Sequence, residues 1–352
     1  MERRRFLQSV ASAPVAAALG SAGVAGLGVA GVSAAAPKSV KPRRLAAGQT
    51  VRLVSPATAT FETVSAQIAK ESLEALGLKV TFGDHLLDRH GYLAGADKDR
   101  ASDINKAFAD PSVDAVVAIR GGWGSARLLP YLDFDVIAAH PKLLMGYSDI
   151  TALHMAIQAK TGLTTFHGPI GASGWNRFTV DYLKRVLFGA EAVTFENLHE
   201  IRDSLTQIDY RTQTITPGKA QGRLLGGNLT VLTAILGSSY VPDFSGAILF
   251  LEDVGETLYR IDRMFTQLDL AGVLKKVSGV VFGLCTDCKP EEGYGGLTLE
   301  EILTEHLKPL GVPAYFGAMI GHRTPQFTLG EGVSVEIETT AGTIRMLEPA
   351  VV

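Results

Sequence analysis

The chain has 352 residues, with 33 Lys and Arg against 36 Asp and Glu and a formal net charge of -3. That balance excludes the basic footprint of a nucleic-acid-binding domain, and the length allows one large domain or two smaller ones. The 46% hydrophobic share is ordinary for a globular protein, but its first stretch reads as a targeting segment rather than as part of the fold.

Arg3, Arg4 and Arg5 form a basic start, Phe6 and Leu7 follow, and an uncharged Ala/Gly/Val run extends to Pro37. The run ends in the small residues Val32-Ser33-Ala34-Ala35-Ala36. A basic start, an apolar run and a small-residue cleavage site make a secretory signal over residues 1–36. The order Arg3-Arg4-x-Phe6-Leu7 resembles the twin-arginine export motif. The expectation is an exported, periplasmic or extracytoplasmic protein that folds before a transient passage through the twin-arginine machinery. An uncleaved membrane helix is the alternative, disfavoured by a run rich in Ala and Gly rather than Leu. Residues 37–47 read as a polar linker.

Val51-Arg52-Leu53-Val54 is a short strand ending at Ser55-Pro56. Val64, Ile68, Leu73 and Leu76 recur at helical spacing before Gly77, a natural stop. A strand is expected over residues 79–82 and an amphipathic helix over 98–109. Ala115-Val116-Val117-Ala118-Ile119 is a continuous apolar run, typical of a buried parallel strand. It leads into Arg120-Gly121-Gly122-Trp123-Gly124 and a helical stretch over 125–132. Leu143-Leu144-Met145 turns at Gly146-Tyr147-Ser148-Asp149 into a helix over 150–160, and Thr164-Thr165-Phe166 leads to His167-Gly168-Pro169. This alternation predicts an α/β domain over residues 48–190, a parallel sheet with helices on both faces.

Residues 191–216 are polar and irregular and read as the interdomain link. The second domain, residues 217–352, opens with Gly226-Gly227-Asn228 before an apolar helix over 229–236. Ala247-Ile248-Leu249-Phe250-Leu251 is a buried strand ending at Glu252-Asp253, followed by a helix over 258–270 and a strand over 279–282. Thr298 and Glu301 have capping-box spacing. Residues 333–338 alternate strictly and pair with 343–346 as a hairpin, so this half carries more β character.

Ser148 sits at a strand-to-helix turn. A serine hydroxyl needs a base to become a nucleophile, and such a turn exposes the hydroxyl and aims backbone N–H groups at a developing oxyanion. Ile150 departs from the G-x-S-x-G pattern, and a serine that merely caps the helix is the competing reading. Glu252 at a strand tip can orient an imidazole; Asp253 and Glu256 lie close enough that spacing does not choose among the three acids. His322 begins a loop after an apolar segment and can act as a general base; His167 is its rival but reads as pocket wall or turn. The glycines at 121, 122 and 124 lack the Lys-Ser/Thr of a P-loop and suit a second oxyanion donor or a tight turn. Cys285 and Cys288 form a lone C-x-x-C with no second pair to complete a metal site, and read as small structural residues open to oxidation outside the cytoplasm.

Arg120-Gly-Gly-Trp-Gly with Leu128-Leu-Pro-Tyr-Leu-Asp133, Gly146-Tyr-Ser-Asp-Ile150, His167-Gly-Pro169, Gly226-Gly-Asn-Leu229, Leu251-Glu-Asp-Val-Gly-Glu256 and Gly321-His322 resemble, in that order, the LD-carboxypeptidase family of serine peptidases, which includes the microcin C self-immunity peptidases. The resemblance covers the chain from about Val51 to the last strands. It implies a flavodoxin-like N-terminal domain, a smaller β-rich α/β C-terminal domain, an active site between them and a homodimer. By position it implies Ser148 as nucleophile, Glu252 and His322 as acid and base, and backbone donors at Gly122 and Asp149. Arg120 and Asn228 are expected substrate contacts, and no metal or other cofactor is implied. The implied reaction releases a C-terminal D-amino acid, D-alanine, from a peptidoglycan tetrapeptide. A peptidase for acylated nucleotide-like toxins and a non-catalytic exported binding protein are the alternatives.

Overall fold

The computed structural model describes residues 39–199, 205–290 and 295–352. The expected export signal and the start of the expected linker lie outside the described residues. The first half runs β1 (Thr50–Val54), α1 (Thr63–Glu74), β2 (Lys79–Phe82), α2 (Asp97–Ala109), β3 (Ala115–Ala118), α3 (Phe134–Ala139), β4 (Leu143–Gly146), α4 (Thr151–Thr161), β5 (Thr165–His167) and α5 (Arg177–Leu183). A 3-10 helix over Ser125–Tyr131 stands where a helix is expected over 125–132. The second half continues with β6 (Thr194–Phe195), β7 (Gln213–Thr216), β8 (Lys219–Asn228), α6 (Leu229–Ile235), β9 (Ile248–Val254), α7 (Leu258–Leu270), β10 (Gly279–Thr286), α8 (Leu299–Leu307), β11 (Ala314–Phe316), β12 (Leu329–Glu331), β13 (Ser334–Glu338) and β14 (Thr343–Met346).

Two sheets result. The first has the order β12-β5-β4-β3-β1-β2. Its five N-terminal strands are parallel, and their order, 2-1-3-4-5, is the flavodoxin-like one. Its sixth strand, β12, comes from near the end of the chain and pairs antiparallel with β5. The second sheet has the order β6-β14-β13-β8-β9-β10-β11-β7. Its centre, β8 to β11, is parallel, and its outer strands are antiparallel, the expected hairpin β13-β14 among them. The fold is therefore mixed α/β with a second, curled sheet.

Strands β3 and β4 are buried at every residue, which is why they read as uninterrupted apolar runs: helices cover both faces of a parallel sheet. The two sheets share their cores. Leu53, Val117 and Phe166 fall in one buried cluster with Phe250 and Val335, and Val116 and Ile157 fall in another with Leu225 and Phe282.

Two local differences from the sequence reading have physical reasons. Helix α1 buries Ala66, Ala69 and Leu73, while Val64 and Ile68 stay 55% and 51% exposed. A Cβ at Gly171 would lie 2.9 Å from that of Ala69, so the contact admits only small residues and turns the alanine stripe inward. Strand β9 runs on through Glu252 to Val254, because its ladder with β8 continues to the pair Asn228–Glu252. The acid therefore lies inside a strand, fully buried.

Candidate active site

The strand ends and turns converge on one cleft of about 650 Å³. Arg120, Gly121 and Gly122 line it from the turn after β3, Tyr147 and Ser148 from the turn after β4, and His322 from the loop beyond β11. This is the crevice beyond the carboxyl ends of parallel strands, where open α/β sheets place their ligands.

Ser148 follows Tyr147 with φ 66°, a left-handed backbone unusual for a side chain-bearing residue. A single 3-10 turn, Ser148–Ile150, then leads into α4. The helix is preceded by Ile150 and has no side-chain cap, so Ser148 does not do the work of a capping serine. The turn closes against the glycine loop: a Cβ on Gly121 would lie 2.8 Å from the Cβ of Ser148 and 3.1 Å from its Oγ. Only glycine lets that loop approach so closely. Among the described residues the N–H of Gly122 has no backbone acceptor, whereas that of Trp123 is committed to Thr58 Oγ1 at 2.9 Å.

Asp149 is buried and accepts from the Ser125 N–H at 2.7 Å. Its side chain thereby ties the serine turn to the far end of the glycine loop. Burial pushes its carboxyl above the ordinary range, while the Ser125 N–H and the nearby Arg100 oppose that shift. Arg100 is itself fully buried in α2 and donates to the carbonyls of Pro56 and of Gly124, the latter at 3.2 Å. It also pairs with Asp97. This guanidinium joins the turn after β1 to the glycine loop.

His322 Nδ1 lies 2.8 Å from Glu252 Oε2. A buried carboxylate in that position fixes the tautomer with the proton on Nδ1 and leaves Nε2 as the basic nitrogen. The three acids are sorted by their partners. Asp253 accepts from the N–H and hydroxyl of Thr230 at 3.0 and 2.9 Å and from the Val254 N–H at 2.8 Å. Burial first, and then the neighbouring Glu252, raise its carboxyl to about 6. Glu256 pairs with Arg260 at 2.6 Å. Glu252 alone of the three contacts an imidazole. Ser148 and His322 line the same cleft without a hydrogen bond between them; such contacts are often long without substrate and tighten when it binds.

The structure places two expected residues differently. Asn228 does not line the cleft: it is 4% exposed, caps α6 by accepting from the Val231 N–H at 3.0 Å, and donates to Glu252 and Asp253 at 3.2 Å each. It braces the acid from behind. His167 is buried in β5 with neither ring nitrogen bonded. Burial, with the neighbouring histidines His154 and His322, holds it well below the ordinary imidazole range, so it stays neutral. Arg120 lines the cleft as expected and donates Nη1 to the Ala59 carbonyl at 3.1 Å.

Sequence reading missed Arg100, His154 and Glu331. His154 in α4 is buried, donates Nε2–H to the Gly146 carbonyl at 2.9 Å, and is held by burial at about 4. Glu331, buried 4.0 Å from it, is pushed by burial well above the carboxylate range. Arg100 and His154 carry polar side chains in segments that read as helices, Glu331 lies in a strand too short to register in the pattern, and only tertiary packing encloses the three. Cys285 and Cys288 form a disulfide at the end of β10, where Cys285 pairs across the ladder with Asp253. Among the described residues no group of three or more His, Cys, Asp or Glu could hold a metal.

A flavodoxin-ordered sheet, a second curled sheet and a cleft holding a strained serine beside a histidine–carboxylate pair define a peptidase-type hydrolase scaffold. The N-terminal domain model of LD-carboxypeptidases matches residues 51–168 and the C-terminal domain model matches residues 221–337. The chain belongs to the LD-carboxypeptidase family. It is 37% identical over 308 residues to a probable murein peptide carboxypeptidase of Bacillus subtilis, covering 86% of this chain and 93% of that one. It is 33% identical over 280 residues to a murein tetrapeptide carboxypeptidase of Pseudomonas aeruginosa, covering 77% and 87%. Among solved structures it is similar to the microcin C7 self-immunity protein MccF without ligand (TM-score 0.80, 28% identity, covering 89% of this chain and 100% of that one). A muramoyltetrapeptide carboxypeptidase from Oxalobacter formigenes gives a TM-score of 0.73 at 30% identity, covering 85% and 98%.

Proposed function

We propose that this protein is a serine-type LD-carboxypeptidase that releases the terminal D-alanine of peptidoglycan tetrapeptides. The observation that carries the reading is the 2.8 Å contact between Glu252 and His322 in the cleft that also presents Ser148. Ser148 Oγ attacks the scissile carbonyl while His322 Nε2 takes its proton, and Glu252 holds the imidazole in the tautomer with Nδ1–H and stabilises its charged form. The N–H groups of Gly122 and Asp149 receive the oxyanion. His322 returns the proton to the departing amine of D-alanine, and water then releases the peptide from Ser148. Arg120, beside the glycine loop, receives the terminal carboxylate that every carboxypeptidase substrate carries.

The N-terminal basic and apolar segment supports an exported protein acting on periplasmic or wall-bound peptide, and the family resemblance supports a homodimer. The likeness to the microcin C7 self-immunity protein favours a second reading, hydrolysis of acylated nucleotide-type substrates. Mass spectrometry of residues 38–352 incubated with murein tetrapeptide, beside S148A, tests the first. Release of D-alanine by wild type alone supports it. No release, where another LD-carboxypeptidase acts, moves the search to acylated nucleotides; a protein inert on both is a binder.

A further inference from the structure

The carboxyl end of β10 lies between the strand that carries Glu252 and the loop that carries His322. After a bulge between Phe282 and Cys285, its ladder with β9 resumes as the pairs Cys285–Asp253 and Thr286–Val254, directly beyond Glu252. Val254 itself lines the cleft. On the other flank, the Leu284 N–H donates to the Ile320 carbonyl at 2.9 Å. A Cβ on Gly321 would stand 3.5 Å from the Leu284 carbonyl oxygen. A shift of this strand end therefore reaches both partners of the histidine–carboxylate contact.

The Cys285–Cys288 disulfide closes that end into one turn. Backbone hydrogen bonds then lace the turn to the exit of β9: Gly255 N–H to the Thr286 carbonyl at 2.8 Å, Lys289 N–H to the Glu256 carbonyl at 3.0 Å, and Leu258 N–H to the Lys289 carbonyl at 3.1 Å. A bridge over so short a loop takes little entropy from the unfolded chain, so its effect is local. It locks residues 286–289 in register with 254–258. Both cysteines are half-buried, which leaves the bridge open to attack by a thiolate. We propose that the Cys285–Cys288 disulfide positions the Glu252–His322 pair, and that its reduction by a dithiol lowers turnover without unfolding the protein. In that exchange the S–S bond breaks, two thiols form, and the dithiol closes into its own disulfide. The proposal rests on the carboxypeptidase reading and adds two positioning residues to it.

The test treats the folded protein with dithiothreitol and follows cleavage of murein tetrapeptide, the Tm, and hydrogen exchange at the Gly255, Leu284 and Lys289 amides. Reduction is expected to lower kcat about tenfold with KM and Tm little changed, to speed exchange at those amides, and to be reversed by reoxidation. C285A/C288A should start at the reduced rate and ignore dithiothreitol. If the double variant does not fold, reduced wild type carries the same comparison. An unchanged kcat on reduction, or a loss of rate explained by a fall in Tm, overturns the proposal while the carboxypeptidase reading stands. A protein inert in both states removes the carboxypeptidase reading. Exchange at the named amides needs no substrate and still decides what the bridge holds: faster exchange on reduction supports the clamp, and unchanged exchange overturns it.

Discussion

Gly321 and Glu252 are fitted to each other: a Cβ on residue 321 would stand 2.9 Å from Glu252 Oε2, the same oxygen that meets His322. Gly321 also has φ 124°, a conformation side chains rarely adopt. G321A should therefore displace the carboxylate or the imidazole while leaving the cleft and its serine in place. A misplacement of about 1 Å costs on the order of 10²-fold in rate. Steady-state kinetics should show that loss in kcat with KM little changed; full activity in G321A would remove the Glu252–His322 contact from the mechanism.

Ser148 combines the proposed nucleophilic role with a strained backbone, so its two smallest replacements should part ways in stability. S148A and S148G should both lose about 10⁴-fold or more in kcat. S148G relieves the left-handed strain and should be the more stable of the two by about 1 kcal/mol. Thermal denaturation of the pair checks this. Equal stabilities would mean that the turn is not strained in solution.

Two buried groups should give opposite slopes to stability below neutral pH. Asp253 is raised to about 6 in the fold by burial, so the native state holds its proton more tightly. Its contribution is present below about pH 4 and is lost as pH rises through about 6. His154 is lowered by burial to about 4, so the unfolded state binds the proton more tightly. Its contribution is present above about pH 6.5 and is lost as pH falls through about 4. Relative to wild type, D253N should tilt stability upward with pH between 4 and 6.5 and H154Q should tilt it downward, each by on the order of 3 kcal/mol across the window. Denaturation midpoints read at several pH values decide the matter; parallel curves for all three proteins would contradict it.

Arg100 joins Pro56 and Gly124 from inside the fold. R100L should leave both carbonyls without their buried donor and cost about 3 kcal/mol, read as a lower denaturation midpoint. Asp97 keeps its contact to Arg127 at 2.8 Å, so the loss belongs to the loop and not to the surface ion pair. R100K should recover only part of it, because one ammonium cannot reproduce the guanidinium's fork. Wild-type stability in R100L would place the support of the glycine loop elsewhere.

Much of this arrangement was legible because the strands are short, apolar and regularly spaced. Ala115-Val116-Val117-Ala118 and Leu143-Leu144-Met145 announce themselves, and each delivers a functional turn at its carboxyl end. The positions of Ser148, Glu252 and His322 followed from motif order. What joins them did not. Nothing in the pattern of α1 reveals that Ala66 and Ala69, rather than Val64 and Ile68, face the sheet, since the deciding contact is Gly171, about a hundred residues away in sequence. Strand β12 has three residues, too few for period-two alternation to register. Spacing alone left Glu252 and Asp253 open and the resemblance implied Glu252; the physical reason needed the position of Thr230, which satisfies Asp253 and leaves Glu252 for the imidazole.

That short strand bears on how the protein is made. β5 is an edge until β12 arrives, and β12 lies about 160 residues further along the chain. A nascent chain that has emerged only as far as α8 holds Ser148 but exposes the unpaired backbone of Thr165, Phe166 and His167, a template for pairing with other chains. Completion of the first sheet is therefore postponed until β12 has been made, and a stop between α8 and Leu329 yields a fragment with an open sheet edge, prone to aggregate.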